Sequence, residues 1–133
     1  MRNVKKVPMV AILVENKKAF RLLRKILSPN KNFFNDSDFL RETYYNGLKI
    51  LMLETGTGQE NITHRISFLL EKHNNIDFAV FLGFMGALEK DMKVGDIIIP
   101  LTFSCVLEPG EQYQSDPGLL NLCQALRSEN KLK

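Results

Sequence analysis

Residues 8–14 form an unbroken apolar run, Pro-Met-Val-Ala-Ile-Leu-Val, near the start of the chain. A run of strand length without polar alternation is typical of a strand that is covered on both faces. Glu15 and Asn16 interrupt the run, and Asn16 can cap a helix that continues to Leu27. A buried strand that leads directly into a helix favours a parallel sheet between helical layers.

The same alternation of strand and helix continues along the chain. Two strand-like segments, Arg41–Tyr45 and Leu48–Leu53, flank Asn46-Gly47. This dipeptide tolerates the positive φ angles of a type I′ turn better than any other, so an antiparallel hairpin is predicted. A helix is predicted over Gln59–His73 and a second buried strand over Phe78–Leu82.

The last third of the chain predicts a third buried strand at Ile97–Ile99 and a loop over 107–115. Ser115 or Asp116 is predicted to cap a final helix, because Pro117 suits a first helical position. Together these elements predict an α/β fold. We expect a three-layer sandwich with a mixed, mostly parallel sheet, in a single domain over residues 1–133.

The composition excludes several classes of protein. The 133 residues are 44% hydrophobic and 25% charged, the balance of an ordinary soluble domain. No apolar run approaches the length of a membrane span, and a net charge of +3 is well short of a nucleic-acid-binding signature. Because of that hydropathy and charge, we expect neither membrane nor nucleic-acid partners. Cys105 and Cys123 form no CxxC pair, so we expect reduced thiols and a cytoplasmic location.

The residues Thr55, Gly56, Thr57 and Gly58 follow a predicted strand and open a helix, where backbone N–H groups can hold an anion. They are not a dinucleotide fingerprint, because Asn61 stands at the third glycine position, and no Gly-Lys-Ser/Thr follows to make a P-loop. Two interpretations stay open, a binding loop and a tight strand-to-helix turn. Neither a cofactor nor a metal ion is predicted.

A second glycine segment, formed by Gly83, Phe84, Met85 and Gly86, follows the strand at Phe78–Leu82. Ligands of open α/β sheets bind beyond the carboxyl ends of the strands, and glycines there allow a ring or sugar to approach the backbone. The alternative is that these glycines only relieve crowding at a turn. Another candidate is Glu15, which lies just past the first strand, near the expected ligand-binding edge. It is either a site carboxylate or a solvated side chain.

Taken together, these motifs resemble the purine/uridine phosphorylase superfamily, and its nucleosidase branch most of all. That branch includes methylthioadenosine/S-adenosylhomocysteine nucleosidase and futalosine hydrolase. The strand and helix at Met9–Leu27, the hairpin, both glycine segments and the turn Lys93-Val-Gly-Asp96 occur in the family's order. The resemblance covers most of residues 9–104, and its most specific motif is the turn at 93–96.

The resemblance implies a protein that binds a nucleoside or nucleobase and cleaves the N-glycosidic bond with water or phosphate. Positive charge then builds at C1′ of the ribose while the base leaves with a proton or hydrogen bond. By resemblance, Thr55–Gly58 borders the ribose or phosphate, and Gly83–Ala87 lines the base and ribose pocket. A purine-type nucleoside is the expected substrate.

The chain departs from the family pattern at positions that bear on the reaction. Phosphorylases commonly place an Arg before a Gly-Ser/Thr pair, whereas this sequence reads Phe81-Leu82-Gly83-Phe84. An apolar ring cannot offset phosphate charge, so phosphorolysis is disfavoured. The family's water-activating Glu aligns near Ala19, which leaves Glu15 as the candidate catalytic carboxylate.

Family members continue beyond the last helix with a ribose-binding Glu and a Ser-Asp motif that protonates the base. Ser115-Asp116 has these letters but precedes a helix, so we interpret it as a cap. We therefore expect the front part of the family fold, truncated at its C-terminus and weak or inactive as a catalyst. A sheet that stops early exposes a strand edge, which predicts a homo-oligomer, in the simplest case a dimer.

Two other functions remain open from the sequence. The fold can serve as a non-catalytic module for oligomerisation or partner binding. A flavodoxin-like nucleotide binder also fits the α/β pattern, although no hydroxyl-rich phosphate loop follows the first strand.

Overall fold

The computed structural model describes residues 5–27, 34–35, 37–104 and 108–129. Within it the chain divides into two compact units, Met1–Met85 and Gly86–Lys133, which are described separately below. The single domain expected from the sequence stays a prediction. None of the helices in the described ranges is both long enough and apolar enough to span a membrane.

The first unit is built on one five-stranded sheet. The strand bounds are β1 Met9–Val14, β2 Phe34–Asn35, β3 Leu40–Tyr45, β4 Leu48–Glu54 and β5 Phe78–Leu82. Their order in the sheet is β2-β3-β4-β1-β5. Among the residues that the structure describes, β1 and β4 contain most of the buried ones.

The sheet is mixed, as predicted. β1 pairs in parallel with both β4 and β5, while β3 is antiparallel to its neighbours β2 and β4. Four of the five strands therefore point in one direction and β3 alone is reversed. The two-residue turn between β3 and β4 has positive φ at both Asn46 (48°) and Gly47 (77°), which confirms the type I′ hairpin.

Two helices cover opposite faces of this sheet, which confirms the three-layer arrangement. Helix α1, Lys17–Leu27, begins at the predicted cap, where the Ala19 N–H donates to Asn16 Oδ1 at 2.9 Å. Its buried Phe20 packs on one face, and Leu69 of α2 (Gln59–Lys72) packs on the other. The strand residues beneath α1 are Val14, Ile50 and Met52, and those beneath α2 are Ala11, Leu51 and Leu53.

The strand β5 forms as predicted, but the expectation that it is buried is wrong. Phe78, Phe81 and Leu82 are all exposed, and neither core cluster of the first unit includes a residue of β5. Both clusters centre on β1 and β4, and β5 lies at the edge of the sheet. An apolar run is buried only where other elements cover it, and that information is not in the run itself.

The second unit contains a two-stranded antiparallel sheet and one helix. β6, Thr102–Ser104, pairs with β7, Gln112–Gln114, where the sequence predicted a loop over 107–115. The polar side chains of β7 hide its strand character, since the pairing itself is made by the backbone. Helix α3, Pro117–Ser128, is capped by Asp116, whose Oδ1 accepts from the Leu119 N–H at 2.9 Å.

The strand predicted at Ile97–Ile99 does not form. These residues are described, but they pair with no strand of the described chain, and all three isoleucines are exposed. β-branched residues fit a pleated surface, yet a strand exists only when a neighbour provides the hydrogen-bonded ladder. The prediction was wrong because the sequence pattern contains no information on that neighbour.

Candidate functional site

Three parallel strands of the first unit end at the same level of the sheet. Val14 at the end of β1 is in register with Glu54 of β4 on one side and with Leu82 of β5 on the other. The residues predicted to form the site come directly after these strands: Glu15 after β1, the Thr55–Gly58 loop after β4, and the segment that starts at Gly83 after β5. The structure therefore brings Glu15, Thr55 and Gly83 to one edge of the sheet, with Glu15 in the middle.

The two helices that follow these strands lie on opposite faces. α1 follows β1 and packs on one face, whereas α2 follows the neighbouring β4 and packs on the other. Between two such strands the chain leaves the sheet in opposite directions, and ligands of open α/β sheets bind at such positions. Here that position lies between Glu15 and the loop that starts at Thr55.

The start of the Thr55–Gly58 loop is fastened to β1. Thr55 is fully buried, its N–H donates to the Val14 carbonyl at 2.8 Å, and its Oγ1 lies 3.3 Å from the same oxygen. The Thr55 hydroxyl therefore makes its contact inside the protein, out of reach of a ligand. The part of the loop that a ligand can reach begins after it, with the exposed residues Thr57 and Gly58.

The loop makes a tight turn into α2. Gly56 and Gly58 have φ angles of 72° and 86°, in the left-handed region that favours glycine. The side chain of Asn61 donates to the Thr57 carbonyl at 3.0 Å, and the Ile62 N–H donates to the Gly58 carbonyl at 3.1 Å. The loop thus has the geometry of a tight strand-to-helix turn. The first residues of α2 are exposed, so a ligand can still reach them.

The sequence analysis missed a buried ion pair beside this loop. Glu54 has a side chain only 9% exposed, and its Oε1 lies 3.5 Å from Arg65 Nη1. Arg65 also donates to the Glu54 carbonyl at 2.9 Å and lies 4.8 Å above the ring of Phe39. A carboxylate directly after an apolar strand, at the edge where ligands bind, was the sequence signal that could have revealed it.

The second glycine segment starts close to β5. A Cβ at Gly83 would lie 3.0 Å from the ring of Phe81, so this glycine accommodates a neighbouring side chain. Phe84 and Met85 follow with 79% and 61% exposure. Gly86 falls in the second unit, and a Cβ there would meet no atom within 4 Å.

Glu15 is half-buried between the two glycine segments, and it is the only titratable side chain among the residues predicted for the site. In the described part of the chain, no group of three or more His, Cys, Asp or Glu side chains could hold a metal ion. The predicted residues can therefore offer one carboxylate, the backbone of two loops, and the exposed aromatic ring of Phe84.

The described residues also line two concavities that contain none of the predicted site residues. One is an open depression of about 740 Å³ at the first turns of α2, beside Gln59 and His64. The other, about 500 Å³, belongs to the second unit, where Ile97–Ile99 face Leu120 and Cys123 of α3. Neither is lined by Glu15, Thr55 or Gly83.

Comparison with protein families confirms the resemblance seen in the sequence. The family model described as the phosphorylase superfamily matches residues 9–131. The chain belongs to this superfamily. No protein in the curated set matches the sequence.

Solved structures of nucleosidases share the fold. Futalosine hydrolase of Helicobacter pylori superposes with a TM-score of 0.78 at 13% identity, covering 96% of this chain and 64% of its own. The 5′-methylthioadenosine/S-adenosylhomocysteine nucleosidase of the same organism gives 0.80 at 13%, covering 97% and 62%. A Borrelia burgdorferi relative gives 0.74 at 21%, covering 94% and 60%. The chain thus spans about three fifths of the length of these relatives.

Proposed function

We propose that this chain binds a purine-type nucleoside or its base at the carboxyl edge of the first unit's sheet. In this proposal the Thr55–Gly58 loop lies beside the ribose, and Gly83–Met85 lies beside the base, with the ring of Phe84 available to stack on it. Glu15, between them, faces the sugar.

The observation that carries this proposal is the common level at which β1, β4 and β5 end. In that register the three segments follow neighbouring strands at the point where α1 and α2 diverge, and α/β sheets bind ligands at such positions, which supports the proposal. Phe84 adds an exposed aromatic face of the kind that stacks on bases.

The relatives support the same class of ligand. The Borrelia burgdorferi structure was solved bound to adenine, and a Helicobacter pylori nucleosidase structure holds 5′-methylthioadenosine in its active site. Because the chain belongs to this superfamily, we propose the same chemistry for it, with hydrolysis of the N-glycosidic bond as the reaction. Phosphorolysis is disfavoured, because Phe81 stands where phosphorylases commonly carry an Arg.

We expect binding to be much more evident than hydrolysis. Cleavage of an N-glycosidic bond needs one group to activate water and another to protonate the leaving base. Glu15 supplies one carboxylate near the expected position of C1′, and the Glu54 carboxylate is already paired with Arg65. The predicted residues thus provide the pocket wall and one half of an acid–base pair.

Calorimetry with adenine and 5′-methylthioadenosine tests the proposal. We expect measurable binding by the full chain, weakened about tenfold in Phe84→Ala, because base–aromatic stacking contributes roughly 1–3 kcal/mol. Tyr44→Ala is the matched control, since Tyr44 is an exposed aromatic residue beside the start of β4, at the opposite edge of the sheet. No heat of binding with either compound at millimolar concentration would contradict the proposal.

Chromatographic detection of free adenine separates binding from reaction. We expect slow release of base, abolished in Glu15→Gln if that carboxylate activates the water. Fast release that survives Glu15→Gln would show that another group performs the chemistry.

A second candidate function, self-association, rests on a different observation. β5 is an exposed apolar strand at the edge of the sheet, and such edges pair with other chains unless they are protected. We propose that the chain forms a homodimer, consistent with a fold used for oligomerisation or partner binding.

A further inference from the structure

The loop that the proposed function places beside the ribose is held at both of its ends. At its first residue, the Thr55 N–H donates to the Val14 carbonyl at 2.8 Å, which fastens the loop to β1. On the helix side, Arg65 in α2 reaches back to the last residue of β4, where its Nη1 donates to the Glu54 carbonyl at 2.9 Å. Arg65 therefore ties the helix after the loop to the strand before it.

The Arg65 guanidinium has further neighbours that fix its place. Its Nη1 lies 3.5 Å from Glu54 Oε1, and the side chains of this pair are only 24% and 9% exposed. Its Cζ lies 4.8 Å from the centre of the Phe39 ring, which packs edge-to-face on Phe68 at 5.2 Å. A Cβ at Gly56 would lie 3.4 Å from Nη1, so the guanidinium fits against the loop backbone where glycine leaves room.

We propose that Arg65 is a positioning residue: through its bond to the Glu54 carbonyl it holds the Thr55–Gly58 loop where the loop contacts a ribose. It thereby sets the preference of the site for a nucleoside over its free base. This inference rests on the proposed function and deepens it. The base is expected beside Gly83–Met85, and none of the described contacts of Arg65 is with that segment. Loss of Arg65 should therefore weaken binding of the sugar and leave binding of the base intact.

The two interactions of Arg65 with Glu54 have different consequences when they are lost. Without Arg65, the Glu54 carboxylate is a nearly buried charge that has lost its cation, and this destabilises the fold. An amide in place of that carboxylate removes the charge and should restore much of the stability. The bond to the Glu54 carbonyl is separate, and no change of the Glu54 side chain replaces it. Stability and loop position can therefore be altered independently.

Calorimetric titration of the full chain with adenine and with 5′-methylthioadenosine measures this preference. We expect Arg65→Met to raise the dissociation constant for the nucleoside about tenfold and to change that for adenine by less than about twofold. Lys49→Met is the matched control, because Lys49 Nζ makes an ion pair of similar burial with Glu42 Oε1, at 2.6 Å, near the opposite end of β4. The control should leave both constants within about twofold of the native values.

A double variant separates positioning from stability, and it keeps the test open if Arg65→Met alone does not fold. In Glu54→Gln/Arg65→Met we expect urea unfolding to recover most of the stability lost in Arg65→Met, while nucleoside binding stays weak. A nucleoside affinity that recovers together with stability would show that Arg65 only stabilises the fold, and it overturns the inference.

The outcomes distinguish this inference from the proposed function. Absence of binding of both compounds by the native chain contradicts the proposed function itself. If the native chain binds, the role of Arg65 alone is overturned by an Arg65→Met variant that keeps its nucleoside affinity or loses adenine and nucleoside affinity equally. A native chain that binds adenine as tightly as 5′-methylthioadenosine also overturns it, because Arg65 then has no preference to set.

Discussion

At the scale of single residues, the polar groups beside the candidate site are held by partners that are distant in sequence. Arg65 reaches from α2 to both the carbonyl and the carboxylate of Glu54, and its guanidinium stacks on Phe39. The sequence shows a strand-ending carboxylate and a helical arginine, but their meeting depends on how α2 is rotated against the sheet. Local patterns identified the loop, and the tertiary packing decides which side chains fix it.

Asp77 predicts a pH dependence of stability. The Met9 N–H and the Lys6 ammonium, which both donate to its carboxylate, hold the pKa of Asp77 below its ordinary value. Because the folded-state pKa is lowered, the stabilisation is complete above about pH 4 and is lost as the pH falls through the folded-state pKa. In urea unfolding, Asp77→Asn should therefore be less stable than the native chain at neutral pH, by an amount that shrinks in acid.

Asp38→Asn is the matched control for this prediction, since Asp38 is an exposed carboxylate that makes neither contact. A stability difference for Asp77→Asn that is the same at neutral pH and well below pH 4 would contradict this account.

At the scale of elements, the sequence predicted what short-range chemistry determines. Asn46-Gly47 identified the hairpin because its turn needs positive φ, and Asn16 and Asp116 identified helix starts because their side chains cap backbone N–H groups. The sequence-based prediction failed at Ile97–Ile99, because a strand forms only where a neighbouring strand pairs with it. The parallel strands allowed us to anticipate that Glu15, Thr55 and Gly83 lie at the same end of the sheet. The burial of Thr55 and the exposure of β5 could not be anticipated.

The hairpin turn offers a test of this short-range control. A Cβ at Gly47 would meet no atom within 4 Å, so Gly47→Ala changes only the cost of a φ of 77°. That conformation disfavours residues with a Cβ by about 1 kcal/mol, and we expect this loss in the free energy of unfolding measured with urea. Gly86→Ala, also in open space but without the left-handed φ, should change it by less than about 0.5 kcal/mol.

At the scale of the whole molecule, the two units differ in how much they bury. Every buried residue of the described chain, from Ala11 to Leu69, belongs to the first unit, and the described residues of the second are half-buried or exposed. Burial of apolar surface is the main source of stability, so the units are expected to open with different free energies. The exposed side chains of Ile97–Ile99, which line the cavity of the second unit, are part of this low burial.

Hydrogen exchange measured by mass spectrometry checks this difference. Amides of β4, whose residues 50–54 are all buried, should exchange most slowly. Those of β6 and β7 should exchange at least about a hundredfold faster, because each 1.4 kcal/mol of local stability changes the rate tenfold. Equal protection in both sheets would show that the second unit has stabilising contacts that burial does not reveal.

The shared register of Val14 with Glu54 and Leu82 sets the distance that a molecule must span to contact the loops after both β4 and β5. Neighbouring strands are about 4.8 Å apart, so the residues after β4 and β5 are separated by two such steps, roughly 10 Å. A ligand that bridges them has to extend across the end of β1 and pass Glu15. A lone sugar is too short for that span, whereas a sugar joined to a flat ring reaches both sides.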